Sequence, residues 1–463
     1  MRNFMRAMTL TASLALAGGL TAVQAQAETL ADALIAAYKN SHLLDQNQAV
    51  LRAADEDVAI AVASLRPVIS FAANAGYAYA KTNVPNSANH LVTEGLSSSA
   101  TLSAELLLLD FGRRDFGIKI AQHSVLATRH ALVNVEQQVL LAAVSAYVNV
   151  QLQQQIVALR ESNVRLISQE LQAAQDRFDV GEVTRTDVSI AEARLAAARS
   201  NLAAAQGDLM IARESYKAAT GAYPGRLAAL PPVPKIGKTV DEAQSVARRS
   251  HPIVLQAQEL VTLAEAQVGL ANANMKPTVG LGASINWTDN GDLTERLGLS
   301  MNQTLYAGGE KSAQYRKALA GGDRARAALG QSVVDVLQNV GNAWASLAVF
   351  GASIDASNQQ IRAAQAAFDG VREEATLGAR TTLDVLNAEQ ELLNARASRL
   401  QAEAGRYIGV YQVLASMGLL TVEHLKLGIP TYDPQAYYNA VKTAPATSSR
   451  GKKLDEIMKK IGN

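Results

Sequence analysis

Four segments of the chain alternate apolar and polar residues with a period of two, which predicts β-strands with one apolar face. The segments lie at 69–79, 99–108, 279–287 and 296–305. Each predicted strand has about ten to twelve residues, the length that crosses a bilayer with tilt. A half-buried sheet in a soluble protein would show the same alternation. Tyr77, Tyr79 and Trp287 near the strand ends favour membrane strands, because aromatic side chains concentrate at the two membrane interfaces.

The apolar spacing changes to a helical period outside these segments and predicts two very long helices. The first, 113–178, contains no proline and would be about 100 Å long at 1.5 Å per residue; its duplicate is 310–376. Shorter helices are predicted at 31–65, 184–220, 239–275 and 381–417. A heptad repeat runs through 188–219, with alanine at every second seam position. Because such a repeat needs a coiled-coil partner, we expect this helix to pack antiparallel to the long helix before it.

The chain contains an internal repeat with a constant offset of 197 residues. Residues 181–188 recur as 378–385, and the same offset pairs Glu192 with Glu389. This period is too long for a solenoid unit, so we predict two duplicated halves, 28–223 and 239–430. A proline-rich linker, 224–238, joins the halves, and a tail at 431–463 shows no strong pattern beyond a short amphipathic helix.

The N-terminus has the pattern of an export signal. Residues 1–27 combine Arg2 and Arg6, an apolar run and a small-x-small cleavage site, so the mature chain is expected to begin at Glu28. The chain has no cysteine, which excludes disulfides, thiolate metal sites and lipid anchoring through an N-terminal cysteine. Charge is nearly balanced, with 43 basic and 42 acidic groups, which argues against nucleic-acid binding. No catalytic constellation or metal spacing is present, so no enzyme activity, metal or cofactor is predicted.

Four strands per chain cannot close a membrane barrel, and an open sheet edge in lipid is prohibitively costly. We therefore predict an oligomer in outer-membrane lipid. A dimer would give eight strands around a side-chain-filled interior, whereas a trimer would give twelve strands and a lumen. The predicted inner face consists of serine, asparagine, threonine and glycine, which suits water. A homotrimer with a 12-stranded barrel above a ring of twelve helices is the favoured architecture.

The paired turns at 177–181 and 376–386, with the turns at 109–113 and 305–309 where strands end, resemble those of the TolC family of outer-membrane efflux proteins. The resemblance covers residues 28–430. It implies a mainly α-helical protein with a membrane β-barrel, in the outer membrane and extending into the periplasm. It also implies a non-catalytic exit duct for a tripartite efflux pump or type I protein secretion. The expected partners are a periplasmic membrane-fusion adaptor and an inner-membrane ABC, RND or MFS transporter. The alternative is a periplasmic coiled-coil adaptor or scaffold of such a system.

The resemblance also implies roles for individual residues near the periplasmic end. Asp384 would ring the lumen at a constriction and select cations. A second family aspartate is replaced by Asn387, and a tyrosine of the family's gate by Ala375, so a less acidic ring and weaker closure are expected. The matching latch residues would be Asp187 with Arg380, and Glu170 with Arg372.

The two glycine turns are expected to form the tip that docks the adaptor. A reversal between antiparallel helices commonly needs a residue with positive φ, which glycine adopts most easily. The predicted tip residues are Val180, Gly181, Glu182, Leu377, Gly378 and Ala379.

Overall fold

The computed structural model describes residues 27–83, 90–444 and 456; the export signal before Ala27 and most of the tail after Ala444 lie outside this part. Each half runs in the same order: two short helices, two strands, a long helix and a shorter helix. The elements are α1 Leu30–Asn40, α2 His42–Ala63, β1 Val68–Asn83, β2 His90–Leu109, α3 Arg113–Asp179, α4 Arg185–Thr220, α5 Val240–Ser250, α6 Pro252–Ala273, β3 Thr278–Thr288, β4 Leu293–Asn302, α7 Glu310–Thr376, α8 Thr382–Ser416 and α9 Pro434–Val441.

The four strands form one antiparallel sheet in the order β1-β2-β3-β4. Leu102 of β2 lies opposite Phe71 of β1 and Ile285 of β3, so the apolar positions share one face. The opposite face is polar, and its side chains bond across strands: Thr101 donates to Asn286 at 2.8 Å. This register confirms the alternation predicted from the sequence.

The first strand pair is longer than predicted. β1 has 16 residues and β2 has 20, against 11 and 10 for β3 and β4. The extra length comes from continued backbone pairing of β1 with β2, for example of Lys81 with Val92, beyond the segment where apolar and polar residues alternate. The expectation of ten to twelve residues was therefore wrong for this pair, because backbone pairing continues where side-chain alternation ends. Tyr77 and Tyr79 consequently lie inside β1 rather than near its end.

The long helices have the predicted lengths, but the predicted helices 31–65 and 239–275 are each broken in two. Ser41 ends α1 and caps α2, with its hydroxyl accepting from the Leu44 amide at 3.3 Å. His251 likewise ends α5 and caps α6, and Pro252 occupies the first turn of α6. Proline cannot donate a backbone hydrogen bond, so it begins a helix more easily than it continues one.

The main hydrophobic core lies at mid-length, where the linker and both halves meet. Tyr147 of α3 and Tyr216 of α4 are fully buried there, and the Tyr147 hydroxyl donates to the Ala228 carbonyl of the linker at 2.8 Å. Towards the turns, the buried side chains between the helices are smaller. Ala191 and Ala198 are buried along α4, which confirms the small-residue seam of the heptad. α3 packs against α4, and α7 against α8, forming two helical hairpins that touch through α3 and α8.

The described part of the tail contains α9, which packs against α2. The Tyr437 hydroxyl donates to Glu56 at 2.8 Å, and the guanidinium of Arg129 lies 5.0 Å above the Tyr438 ring. The guanidinium of Arg66 donates to the Thr443 and Ala444 carbonyls just before β1 begins. The described part of the tail is therefore held against the sheet end of the helices.

Candidate functional site: the turns of the two hairpins

The turns after α3 and α7 have the same backbone geometry. Gly181 and Gly378 adopt φ values of 84° and 76°, in the left-handed region that favours glycine. In each turn the amide of the third residue after the helix donates to a carbonyl near the helix end: Glu182 donates to Arg177 and Ala379 to Glu374, both at 2.9 Å. These bonds satisfy carbonyls that the helix leaves free and end it sharply.

Both turns present apolar side chains to solvent. Val180 is 70% exposed and Leu377 is 81% exposed. The six residues that the sequence analysis assigned to the tip therefore form two similar projecting turns. Isolated apolar residues on a surface are common; here the same exposed arrangement recurs at two equivalent turns.

Asp187 and Asp384 occupy equivalent positions in the first turns of α4 and α8. Oδ2 of each carboxylate accepts from the backbone amide and hydroxyl of the capping threonine, Thr184 or Thr381, at 2.7–3.0 Å. Hydrogen bonds to the charged form hold the pKa of both carboxyls below its usual value. Each aspartate is therefore both a helix-capping residue and a fixed negative charge.

Arg380 lies within its own turn rather than against Asp187. Its Nε donates to Glu374 Oε2 at 2.8 Å, and this bond and its charge raise the pKa of Arg380. The structure records no ion pair between Arg380 and Asp187 among its described residues. Both nevertheless line one groove of about 510 Å³ between the two turns, together with Arg177. The groove is open, charged and shared by both hairpins.

Deeper along the hairpins, Glu170 of α3 lies beside Arg372 of α7, with Arg372 Nε 3.4 Å from Glu170 Oε1. Glu170 is buried, whereas about half of the arginine side chain is exposed. This pair links the two hairpins within one protomer. Asn387 takes part in a separate link, because its side-chain oxygen accepts from Arg194 of α4 at 2.9 Å.

One polar contact between the hairpins was missed by the sequence analysis. Asn163 of α3 donates to Glu389 of α8 at 2.6 Å, and both side chains are buried. Burial raises the pKa of Glu389 to about 7, the Asn163 hydrogen bond opposes this, and the charge of Glu170 adds to it. The sequence marked Glu389 only as the repeat counterpart of Glu192 and contained no signal of its burial.

The site consists of surface turns and of charged contacts behind them. No group of three or more His, Asp or Glu side chains in the described ranges could hold a metal ion. Its features are instead two exposed turns, capped helix starts and charged contacts between hairpins. Such features can form a docking surface and a gate.

Comparison with known proteins identifies the family. Residues 33–222 and 244–419 match the family described as outer membrane efflux protein. The chain belongs to this family. The efflux protein BepC of Brucella suis biovar 1 is 35% identical over 430 residues, covering 91% of this chain and 92% of BepC. TolC of Escherichia coli K12 is 26% identical over 427 residues, covering 86% and 84% of the two chains.

Solved structures agree with this family. The CmeC outer membrane channel of Campylobacter jejuni superposes with a TM-score of 0.75 at 16% identity, covering 90% of each chain. At this identity the likeness shows the fold alone, which is the predicted TolC-like fold. Family membership places this efflux-family protein in the outer membrane, extending into the periplasm, as an exit duct for efflux or type I secretion. The adaptor alternative is not favoured.

Proposed function

We propose that three copies of this chain form the duct, with a twelve-stranded barrel above a ring of twelve helices. The observation that supports it is the open sheet: β1 and β4 each pair on one side only within the protomer. An unpaired strand edge is too costly in lipid, so each β1 is expected to pair with β4 of the next copy. A closed ring of three leaves a lumen lined by the polar face of Thr101 and Asn286.

Native mass spectrometry of the detergent-purified protein tests the stoichiometry. A complex of three chains is expected over a wide range of protein concentration, because the barrel is incomplete with fewer copies. A stable folded monomer would contradict the proposal. So would a barrel that closes within one chain, visible as hydrogen-exchange protection of β1 and β4 in that monomer.

The duct is expected to receive its substrate from a periplasmic membrane-fusion adaptor and an inner-membrane ABC, RND or MFS transporter. Adaptor docking at the two exposed turns is supported by their paired geometry and their projection beyond the hairpins. A photo-crosslinking residue at Glu182 or Ala379 should capture the adaptor in cells. The matched control is Ala203, which is also exposed but lies on the side of α4. Equal capture from Ala203, or none from the turns in exporting cells, would place docking elsewhere.

The gate is proposed to lie just behind the turns. Three copies of Asp384 around an axis would concentrate negative charge and favour cations. Asn387, about one helical turn further on, would add no charge. Arg380 and Asp187, and separately Glu170 and Arg372, would hold neighbouring hairpins together in the closed state. Exposed charge pairs are weak singly, so a gate built from several of them can be opened by docking.

A further inference from the structure

The contact between the two hairpins contains two buried carboxylates and one arginine. We name the packed surface of α3 against α8 around Asn163 and Glu389 the hairpin seam. Only 4% of Glu389 is exposed, and Glu170 on α3 is also buried. Arg372, the arginine that faces them, approaches Glu170 and remains half exposed.

Glu389 is incompletely satisfied in this position. Its Oε1 accepts from Asn163 at 2.6 Å, but its buried Oε2 has no hydrogen-bond partner among the described residues. A carboxylate that is buried with one neutral donor costs more in its ionised form than in its protonated form. The charged groups that act on Glu389 are Glu170 from α3, which repels its ionised form, and Arg372 from α7, which attracts it.

We propose that Glu389 makes the hairpin seam proton-linked: its protonated form holds α8 against α3, and its ionisation weakens the contact and favours separation of the hairpins. The inference rests on the proposed function only for its consequence, which is that the duct opens more readily as the periplasmic pH rises. The seam itself is a property of one protomer and needs neither an adaptor nor a transporter.

The direction follows from the proton affinities of the packed and separated seams. Packing raises the pKa of Glu389 from 4.5 to about 7, so the packed seam binds the proton more tightly. Below about pH 4.5 both states are protonated and the seam is at its strongest. The stability of the packed seam is lost as the pH rises from 4.5 through about 7. The equilibrium constant for separation of α8 from α3 should increase on the order of tenfold between pH 5.5 and 8.0.

The internal repeat provides a matched control. Glu192 of α4 is the counterpart of Glu389 of α8, at the 197-residue offset, yet Glu192 is exposed in the protomer. Glu389→Gln and Glu192→Gln remove the same charge from equivalent helices. Only the first should remove the proton linkage of the hairpin seam.

Hydrogen exchange of residues 382–395, measured on the detergent-purified full chain, tests the proposal directly. Comparing each variant with the unmodified protein at one pH cancels the intrinsic pH dependence of exchange. The protection of Glu389→Gln relative to the unmodified protein should grow on the order of tenfold from pH 5.5 to 8.0, while Glu192→Gln shows no growth. A flat ratio for Glu389→Gln, or equal growth for Glu192→Gln, would overturn it.

A second variant keeps the test valid if Glu389→Gln does not fold. Arg372→Gln changes a half-exposed side chain and removes the positive charge that stabilises ionised Glu389. Exchange of 382–395 should then increase more at pH 8.0 than at pH 5.5, where only the loss of the Glu170 pair contributes. An equal increase at both pH values would identify ordinary loss of packing and overturn the proposal. Because the readout needs no transport, its failure leaves the proposed export function untouched.

Discussion

Gly181 and Gly378 stand 197 residues apart and adopt the same left-handed backbone conformation, with φ of 84° and 76°. Neither has a heavy atom within 4 Å of the position that a Cβ would occupy. A side chain at either turn would therefore meet backbone strain but no steric clash with the rest of the protein. The two turns can thus be altered without disturbing the hairpins behind them.

We predict that Gly181→Val or Gly378→Val abolishes export and leaves the assembled barrel intact. A β-branched residue in the left-handed region costs about 1–2 kcal/mol, so the turn should adopt another shape and lose its contact surface. Antibiotic or dye efflux in cells measures export, and migration of the unheated protein in gels measures assembly.

The matched control is Gly370→Val on α7. This glycine has equally open surroundings, but its backbone is helical. Valine is tolerated there, because glycine is the less favourable of the two in a helix. Export should persist in Gly370→Val. Unchanged export in both turn variants would show that the docking surface lies elsewhere.

The two faces of the sheet predict opposite responses at adjacent residues of β4. Leu299 lies on the apolar face and Ser300 on the polar face with Gly280 opposite. Leu299→Arg should prevent stable assembly in the outer membrane, since arginine on a lipid-facing strand costs about 2–4 kcal/mol near mid-bilayer. Ser300→Arg should be accommodated by the water-filled lumen. Outer-membrane fractionation distinguishes them, and equal amounts of both variants would argue against this assignment of faces.

The regular features of the fold were predictable because they depend on local patterns. The long helices α3 and α7 contain no proline and end at glycine turns, so their bounds follow from the sequence. The alternation of apolar and polar residues determines which face of β3 is apolar. The break at Ser41 was not predicted, since α1 and α2 both have helical patterns and only the serine cap separates them. The extension of β1 was missed because pairing depends on backbone groups as well as on side chains.

The candidate site was only partly predictable for a different reason. The repeat made Glu192 and Glu389 look equivalent, but α8 packs on α3 within the protomer, whereas Glu192 of α4 is exposed in the isolated protomer. Burial of Glu389 is thus a consequence of how the halves pack, which the repeat does not encode. In the protomer Arg380 bonds to Glu374, six residues away in its own turn, so its latch with Asp187 stays a prediction for the assembled duct.

A buried aspartate predicts a pH-dependent stability. Asp55 of α2 is fully buried, and neither carboxylate oxygen has a hydrogen-bond partner among the described residues. Burial raises its pKa from 3.8 to about 6, although the Arg129 charge opposes the change. The folded protein therefore binds this proton more tightly, and stability falls as pH rises from about 4 to above 6.

Asp55→Asn should remove this penalty. We expect the free energy of unfolding to increase by about 1–3 kcal/mol at pH 8 and to change little at pH 4. Chemical unfolding followed by the helical circular dichroism signal measures both. Asp57→Asn, an exposed neighbour on the same helix, is the control and should have no effect. Destabilisation of Asp55→Asn at pH 8 would mean that Asp55 forms a stabilising ion pair with Arg129.

The gate residues predict separable electrical effects in planar bilayers. Arg380→Ser should raise single-channel conductance roughly twofold or more, because it removes a positive charge that joins the turn to Glu374 and lies in the groove shared with Asp187. Arg399→Ser removes a similarly exposed ion pair, which Arg399 forms with Glu403 further along α8. That control should leave conductance unchanged.

Asp384 requires a substitution that separates its charge from its capping role. Asp384→Ala removes both, whereas Asp384→Asn keeps an oxygen that can accept from the Thr381 amide. Cation preference and block by multivalent cations should therefore fall in both variants, with the helix start preserved only in Asp384→Asn. The low pKa of Asp384 further predicts that cation preference in the unmodified channel persists well into acid. If Asp384→Asn keeps full selectivity while Asp384→Ala loses it, the aspartate acts through the cap, and the ionic filter lies elsewhere in the duct.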